Sequence, residues 1–217
     1  MLLEELRNEV VRTGVRLLAT GLVTSTWGNV SARDRAAGYV AITPSGMEYD
    51  RMRPEDVVVI DLLGRVIDGE RKPSSETPMH LCIYSRKPGV YAVVHTHSIH
   101  ATAVGVARGE IPLVTGELVN AIGRPVRTAP YAPEGTRELG EAAVLGMGEG
   151  LAVILQNHGV VTAGTSLKDA LFNAVVVEDA ARVFLLARNL GEPATIPESD
   201  ALRLHEQFLR SYGQRKP

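Results

Sequence analysis

A single cysteine, Cys82, excludes an intrachain disulfide framework from this 217-residue chain and suits a reducing compartment. No apolar run approaches the ~20 residues that a membrane span requires. The first residues, Met1-Leu-Leu-Glu-Glu-Leu-Arg7, mix acids and bases where a secretory signal needs a basic start and an apolar core. The cytoplasm is therefore the expected compartment, and the glycosylation sequon Asn29-Val-Ser31 is read as accidental. A net charge of −2 without any basic run argues against a nucleic-acid surface. It leaves room for a small phosphate site, which needs only a few local donors. A Walker loop, a nucleophile elbow, a Gly-x-Gly-x-x-Gly fingerprint and Cys-x-x-Cys pairs are all missing.

What is present is ordinary globular composition, 45% hydrophobic and 22% charged, in a chain long enough for one sizeable core. We read residues 1–217 as one α/β domain in which helices cover a sheet built partly from hairpins. An apolar stripe (Leu3, Leu6, Val10, Val11, Leu17, Leu18) predicts a helix over 3–20, stopped at Gly21. Ser25-Thr-Trp-Gly-Asn-Val-Ser31 reads as a turn-rich entry into a short strand, and further strands are expected at Tyr39–Ile42, Val57–Ile60, Arg65–Ile67 and Val90–His95, and at Leu151–Leu155 with Val160–Thr162 as its hairpin partner. Thr77 reads as the N-cap and Pro78 as the first position of a helix ending near Lys87. Further helices are expected over 99–106, 136–145 and 198–211, with the longest at Leu167–Leu190. That last helix is apolar on more than one side, so it needs cover on several faces. Residues 111–132 give no clear pattern beyond a strand expected at Val126–Ala129.

Three of the six histidines have the spacing that matters. His95 and His97 end an apolar strand, and period-two geometry puts both side chains on one face, close enough to share an ion. His158 follows another apolar strand in Gln156-Asn-His-Gly159. Three imidazoles leave open coordination positions, as in a catalytic rather than a structural zinc site. The same pattern also fits hydrogen-bonded histidines at strand ends. Glu76 lies just before a helix, where the macrodipole alone explains an acid; facing a metal, it would be a general acid/base. Asn29, Ser45, Gly46, Ser74 and Ser75 are small donors beside flexible backbone; read alone they are turn residues, read together they suit a phosphate dianion. His80 and His100 are expected to pack or support, His205 to face solvent, and Cys82 to be a small core residue.

In chain order these segments resemble the class II aldolase/adducin family, and within it the L-fuculose-1-phosphate aldolases. The resemblance rests on Thr26-Trp-Gly-Asn-Val-Ser31, Ile42-Thr-Pro-Ser-Gly46, Pro73-Ser-Ser-Glu76, Ala92-Val-Val-His-Thr-His97, Ala129-Pro-Tyr-Ala132, Gly135-Thr136 and Asn157-His-Gly159. It implies a three-layer α/β/α fold around a mostly antiparallel, mixed sheet. It also implies a homotetramer with active sites at subunit contacts. By position, His95, His97 and His158 would hold one divalent ion (zinc, or manganese or cobalt) and Glu76 would be the catalytic acid/base. Gly28, Asn29, Ser45, Gly46, Ser74 and Ser75 would hold the substrate phosphate, and Tyr212 would match a tyrosine near the family's C-terminus. The implied reaction is reversible cleavage of a ketose 1-phosphate, L-fuculose 1-phosphate or a related 5-deoxypentulose phosphate, through a metal-stabilised enediolate. The products are dihydroxyacetone phosphate and a short aldehyde. No Schiff-base lysine is called for, and Lys72, Lys87, Lys168 and Lys216 lie outside the apolar strands.

The sequence departs from the pattern on the aldehyde side. Gly116 stands where those aldolases carry a partner-subunit tyrosine, and Glu134 where they carry an aromatic. Rival readings on the same scaffold are L-ribulose-5-phosphate 4-epimerase, toward which Thr77-Pro-Met-His80 leans, and sugar-phosphate dehydratases or decarboxylases. The epimerases carry Asp where Glu76 stands. A non-enzyme rival is an adducin-head interaction module, but such heads lack the three histidines.

Overall fold

The computed structural model describes residues 1–211. Eight strands form one sheet: β1 (Asn29–Arg33), β2 (Val40–Ile42), β3 (Val58–Ile60), β4 (Val66–Asp68), β5 (Ala92–Thr96), β6 (Thr128–Ala129), β7 (Ala152–Leu155) and β8 (Gly159–Gly164). Their order is β4-β3-β2-β1-β5-β8-β7-β6. Every neighbouring pair is antiparallel except the edge pair β6–β7. The helices are α1 (Glu4–Ala19), α2 (Thr77–Arg86), α3 (Ile99–Val106), α4 (Gly116–Ile122), α5 (Arg137–Met147), α6 (Leu167–Arg188) and α7 (Glu198–Ser211).

Period-two alternation sorts the strand residues into two cores. Val93, Val153 and Val161 face α2 and α5, where they pack with Met79, Ile83, Leu139 and Ala143. Ala92 and Val94 face the opposite way, onto α1 and the start of α6. Ile154 and Val160 pack on that same side against α3, α4 and the rest of α6. The result is three layers, α/β/α, as the resemblance implied. Both faces of β5 and β8 are covered, and every residue in them is buried. Each such Val or Ile contributes about 1.5–3 kcal/mol relative to exposure. The two central strands are therefore firmly held.

Several expectations need correction in detail. Glu76, not Thr77, is the N-cap of α2, and it makes no side-chain cap bond. The Thr77 hydroxyl instead donates back to the Ser74 carbonyl at 2.7 Å, which draws Thr77 into the first turn. The patternless stretch hides α4, whose Thr115 cap accepts from the Leu118 amide. Strand β6 is shorter than the expected 126–129, because Val126 exchanges both of its backbone hydrogen bonds with Ile111 in an isolated bridge instead of joining the sheet. His205 is not on a solvated face: its Nδ1–H donates to the Asn120 carbonyl at 2.6 Å and locks α7 onto α4. Cys82 is half-buried at the α2–α5 contact rather than in a core. His100 does pack, with its ring nitrogen 2.7 Å from a Glu178 carboxylate oxygen on α6. On α6, Phe172, Val183 and Leu186 stay exposed.

Candidate active site

Strand register places the three histidines. His95 lies opposite Asn29 of β1 and Val161 of β8, so its ring projects on the α2 side of the sheet. His97, two residues on, leaves the strand on the same face. His158 sits in the β7–β8 turn, which closes with Asn157 in the left-handed conformation at φ 59°. The following Gly159 is needed there because a Cβ would run into the Thr96 carbonyl and the His95 ring. Gly28 is needed for a similar reason: it has φ +75°, and a Cβ would come within 2.6 Å of the His95 carbonyl oxygen. The three imidazole rings meet with centroids 4.9, 4.7 and 5.1 Å apart.

Glu76 enters this trio from the start of α2. Its Oε2 is 3.0 Å from His95 Nε2, and its Oε1 is 3.5 Å from His158 Nε2. Above them opens a cleft of about 210 Å³ whose wall includes Gly28, Asn29, Ser45, Gly46, Ser74 and Ser75. The metal half and the phosphate half of the expected site are thus brought together. Trp27 shields one side, its ring 5.3 Å from that of His97. Glu134 stands on another side, half in solvent, with Oε1 3.7 Å from His158 Nε2. Gly116 opens α4 and does not line the cleft. Tyr212 lies outside the described residues.

The donor set fits a divalent cation. His95 Nδ1 lies 2.9 Å from the Val160 carbonyl, which fixes a proton there and turns Nε2 toward the other rings. One ligand atom from each histidine lies within 4.8 Å of the others. The His95 and His97 Nε2 atoms are 3.0 Å apart. A tetrahedral ion with bonds of about 2.0–2.1 Å holds its ligand nitrogens roughly 3.3 Å apart, close to that spacing. Among the described residues, the only buried side-chain polar atoms without a hydrogen-bond partner are Glu76 Oε1 and His158 Nδ1. Both belong to this cluster, where an unpaired polar atom is costly unless a ligand meets it.

Electrostatics sharpen the picture. Burial alone would lift the Glu76 carboxyl, but His95 and then His158 outweigh it and hold the group well below the usual carboxylate range. Burial opposes a proton on His95, yet Glu76 beside it raises that imidazole. A proton held on His95 Nε2 by Glu76 competes with a cation for the same nitrogen, so cation binding should be weaker at lower pH. Burial, and then His95, push His97 down to about 3 and His158 down to about 4. Burial likewise takes His80 down to about 3.

These shifts set a pH dependence for the chelator-treated protein. As pH falls below 6.5, the unfolded chain protonates three imidazoles that the folded chain keeps neutral to about 4 (His158) or 3 (His80, His97). Stability rises with pH wherever the unfolded state holds more protons, so it falls here on acidification. His95, with its raised value, works in the opposite sense: its contribution is present at low pH and is lost as pH rises through that value. Three outweigh one. Thermal midpoints in excess chelator are expected to drop steadily from pH 6.5 toward 4.5; a flat profile would mean that the imidazoles protonate without unfolding.

A family model, Class II Aldolase and Adducin N-terminal domain, matches residues 8–185. The chain belongs to the class II aldolase and adducin family. Within that family it is 42% identical to 5-deoxy-D-ribulose 1-phosphate aldolase of Bacillus thuringiensis serovar kurstaki, over 99% of this chain and 100% of that one. It is 40% identical to L-ribulose-5-phosphate 4-epimerase UlaF of Salmonella paratyphi B, covering 97% and 96% of the two chains. Among solved structures, an L-fuculose 1-phosphate aldolase superposes with a TM-score of 0.91 at 36% identity, over 94% of this chain and 96% of the other.

One arrangement was not legible beforehand: Asn29 and His80 join Glu76 in a buried hydrogen-bonded chain. The signal was there. Glu76, His80 and Tyr84 recur every fourth residue, and so share one face of α2, while Asn29 and Ser31 share one face of β1.

Proposed function

We propose that this chain is a metal-dependent aldolase that reversibly cleaves a ketose 1-phosphate, L-fuculose 1-phosphate or a related 5-deoxypentulose phosphate, to dihydroxyacetone phosphate and a short aldehyde. The observation that carries the reading is the contact of Glu76 with His95 and His158 in the cleft that the donors of Asn29, Ser45, Ser74 and Ser75 also line. The names of the relatives at 42% and 36% identity support the same reading.

His95, His97 and His158 would hold the cation, zinc or else manganese or cobalt. Once bound, it supplies a Lewis acid for the charge that develops on the ketose oxygens when the carbon–carbon bond breaks. The serine hydroxyls, the Asn29 amide and the N–H groups around Gly28 and Gly46 anchor the phosphate dianion, with the N-terminus of α2 adding partial positive charge. Anchoring one end of the ketose brings its reacting carbons to Glu76 and lowers the entropic part of the barrier. In the condensation direction the Glu76 carboxylate takes the proton from the carbon next to the carbonyl; in cleavage the same oxygen returns it. Its lowered pKa keeps it ionised at neutral pH, in the form that can accept a proton.

The reading includes residues 1–217 as one cytoplasmic domain that assembles as a homotetramer with its clefts at subunit contacts. The exposed Phe172, Val183 and Leu186 of α6 support such an assembly. So does Trp27, 56% exposed beside the cleft. Among the described residues, no helix is long and apolar enough to cross a membrane.

The test is condensation. Protein loaded with zinc, manganese or cobalt is incubated with dihydroxyacetone phosphate and lactaldehyde, glycolaldehyde or acetaldehyde, and products are identified by mass spectrometry. A ketose 1-phosphate is expected from at least one aldehyde. Interconversion of pentulose 5-phosphates without any condensation would replace this reading with the epimerase one, which the UlaF likeness also supports.

A further inference from the structure

Five buried polar groups in the α2–β1 seam form one continuous chain. Asn29 Nδ2 is 2.9 Å from Glu76 Oε2. Asn29 Oδ1 is 2.6 Å from His80 Nε2. His80 Nδ1 is 2.6 Å from Ser31 Oγ, which is 2.8 Å from the Tyr84 hydroxyl. His80 and Ser31 are wholly buried, Tyr84 is 1% exposed and Asn29 is 4% exposed.

The chemistry of these groups allows one polarity only. An ionised carboxylate accepts and never donates, so Asn29 must turn its NH₂ to Glu76. Its carbonyl oxygen then faces His80 and needs a donor, which makes Nε2 the protonated ring nitrogen. Nδ1 becomes the acceptor, so the Ser31 hydroxyl donates to it, and the Tyr84 hydroxyl donates to Ser31. Each hydrogen bond fixes the direction of the next. Remove His80 and the Asn29 carbonyl oxygen is left buried without a donor, so the amide is held at its Glu76 end alone and its angle to the carboxylate and the phosphate wall is no longer fixed.

We propose that His80 is a positioning residue: by donating to Asn29 it holds that amide with its N–H groups toward Glu76 and the phosphate wall, and so aims the carboxylate at the reacting carbon. The catalytic part of this inference rests on the aldolase reading above; the polarity of the chain does not. A group that merely filled the seam would be replaceable by any side chain of similar volume, whereas a positioning donor is replaceable only by another donor.

Two measurements separate these cases. In protein labelled with ¹⁵N-histidine, long-range ¹H–¹⁵N spectra are expected to show His80 as the neutral Nε2–H tautomer. The Nδ1–H tautomer or an imidazolium would overturn the proposed polarity, whatever reaction the protein performs. In steady-state kinetics, His80→Leu is expected to lower kcat about ten-fold or more with metal content unchanged, and His80→Gln, which keeps an N–H donor, to restore most of it. Ser31→Ala should lose less than His80→Leu, and Tyr84→Phe less again, because each lies a step further from Glu76. Equal losses in the Leu and Gln variants, or losses that follow thermal midpoint instead of this order, would leave His80 a packing residue. If His80→Leu fails to fold, the tautomer and the Ser31→Ala, Tyr84→Phe ranking still decide. Were the native protein to condense no aldehyde, the aldolase reading would fall and the spectrum alone would judge the chain.

Discussion

Glu76→Gln is expected to keep its metal and its fold while losing about 10²- to 10⁴-fold in kcat, the range a positioned acid/base supplies. The substitution is nearly isosteric, and the surroundings dictate how the new amide must lie. Asn29 Nδ2, 2.9 Å from the present Oε2, demands an acceptor there, so the glutamine oxygen takes that place. Its NH₂ then occupies the place of Oε1, 3.5 Å from His158 Nε2. No basic oxygen remains to accept a proton from carbon, while both supporting contacts persist. Because the phosphate wall is untouched, KM for dihydroxyacetone phosphate should change little. Metal titration calorimetry and single-turnover kinetics check the two halves separately. Full activity in this variant would remove Glu76 from proton transfer altogether.

His158→Ala should release the ion. The remaining imidazoles both come from the end of one strand, so they approach the cation from one side. Losing an outer hydrogen-bond partner of a ligand already costs about 10–100-fold in affinity, and losing a ligand itself should cost more. Metal content after gel filtration is expected to fall far below one ion per chain, with activity lost in step. The fold should tolerate the change, since the turn is set by Asn157 at φ 59° and by Gly159 and not by the imidazole. Stoichiometric retention would point to a carboxylate completing the site, either Glu76 or Glu134, whose Oε1 is 3.7 Å from His158 Nε2.

What could be read in advance follows from how local each signal is. His95 and His97 were legible because two residues along a strand repeat one face, and that face survives any tertiary arrangement. Their meeting with His158 was not a local fact. It depends on β8 pairing with β5, so that Val161 lies opposite His95 and the β7–β8 turn arrives beside it. Family resemblance supplied that step where spacing could not. Helix α4 escaped because it is 7 residues long, opens on a glycine and is set by packing against α7 and α6. His205 misled for the same reason: a lone histidine on a polar helix reads as solvated until another helix offers a carbonyl. The N-cap of α2 was off by one residue because the Thr77 hydroxyl found the Ser74 carbonyl. Glu76 therefore holds the cap position without a side-chain cap bond, and its carboxylate reaches His95 instead.

Histidines anchored in or beside paired strands and a mouth lined by turns divide the molecule into a fixed part and a replaceable one. Ala92–Thr96 and Gly159–Gly164 pair with neighbours on both edges and are covered on both faces, so the imidazoles they carry or flank cannot drift without breaking the sheet. Glu134, 63% exposed in a connecting segment, has no such obligation. Rebuilding that rim residue by residue is expected to retune which aldehyde is accepted while the three histidines stay put, making this scaffold a convenient starting point for engineered carbon–carbon bond formation.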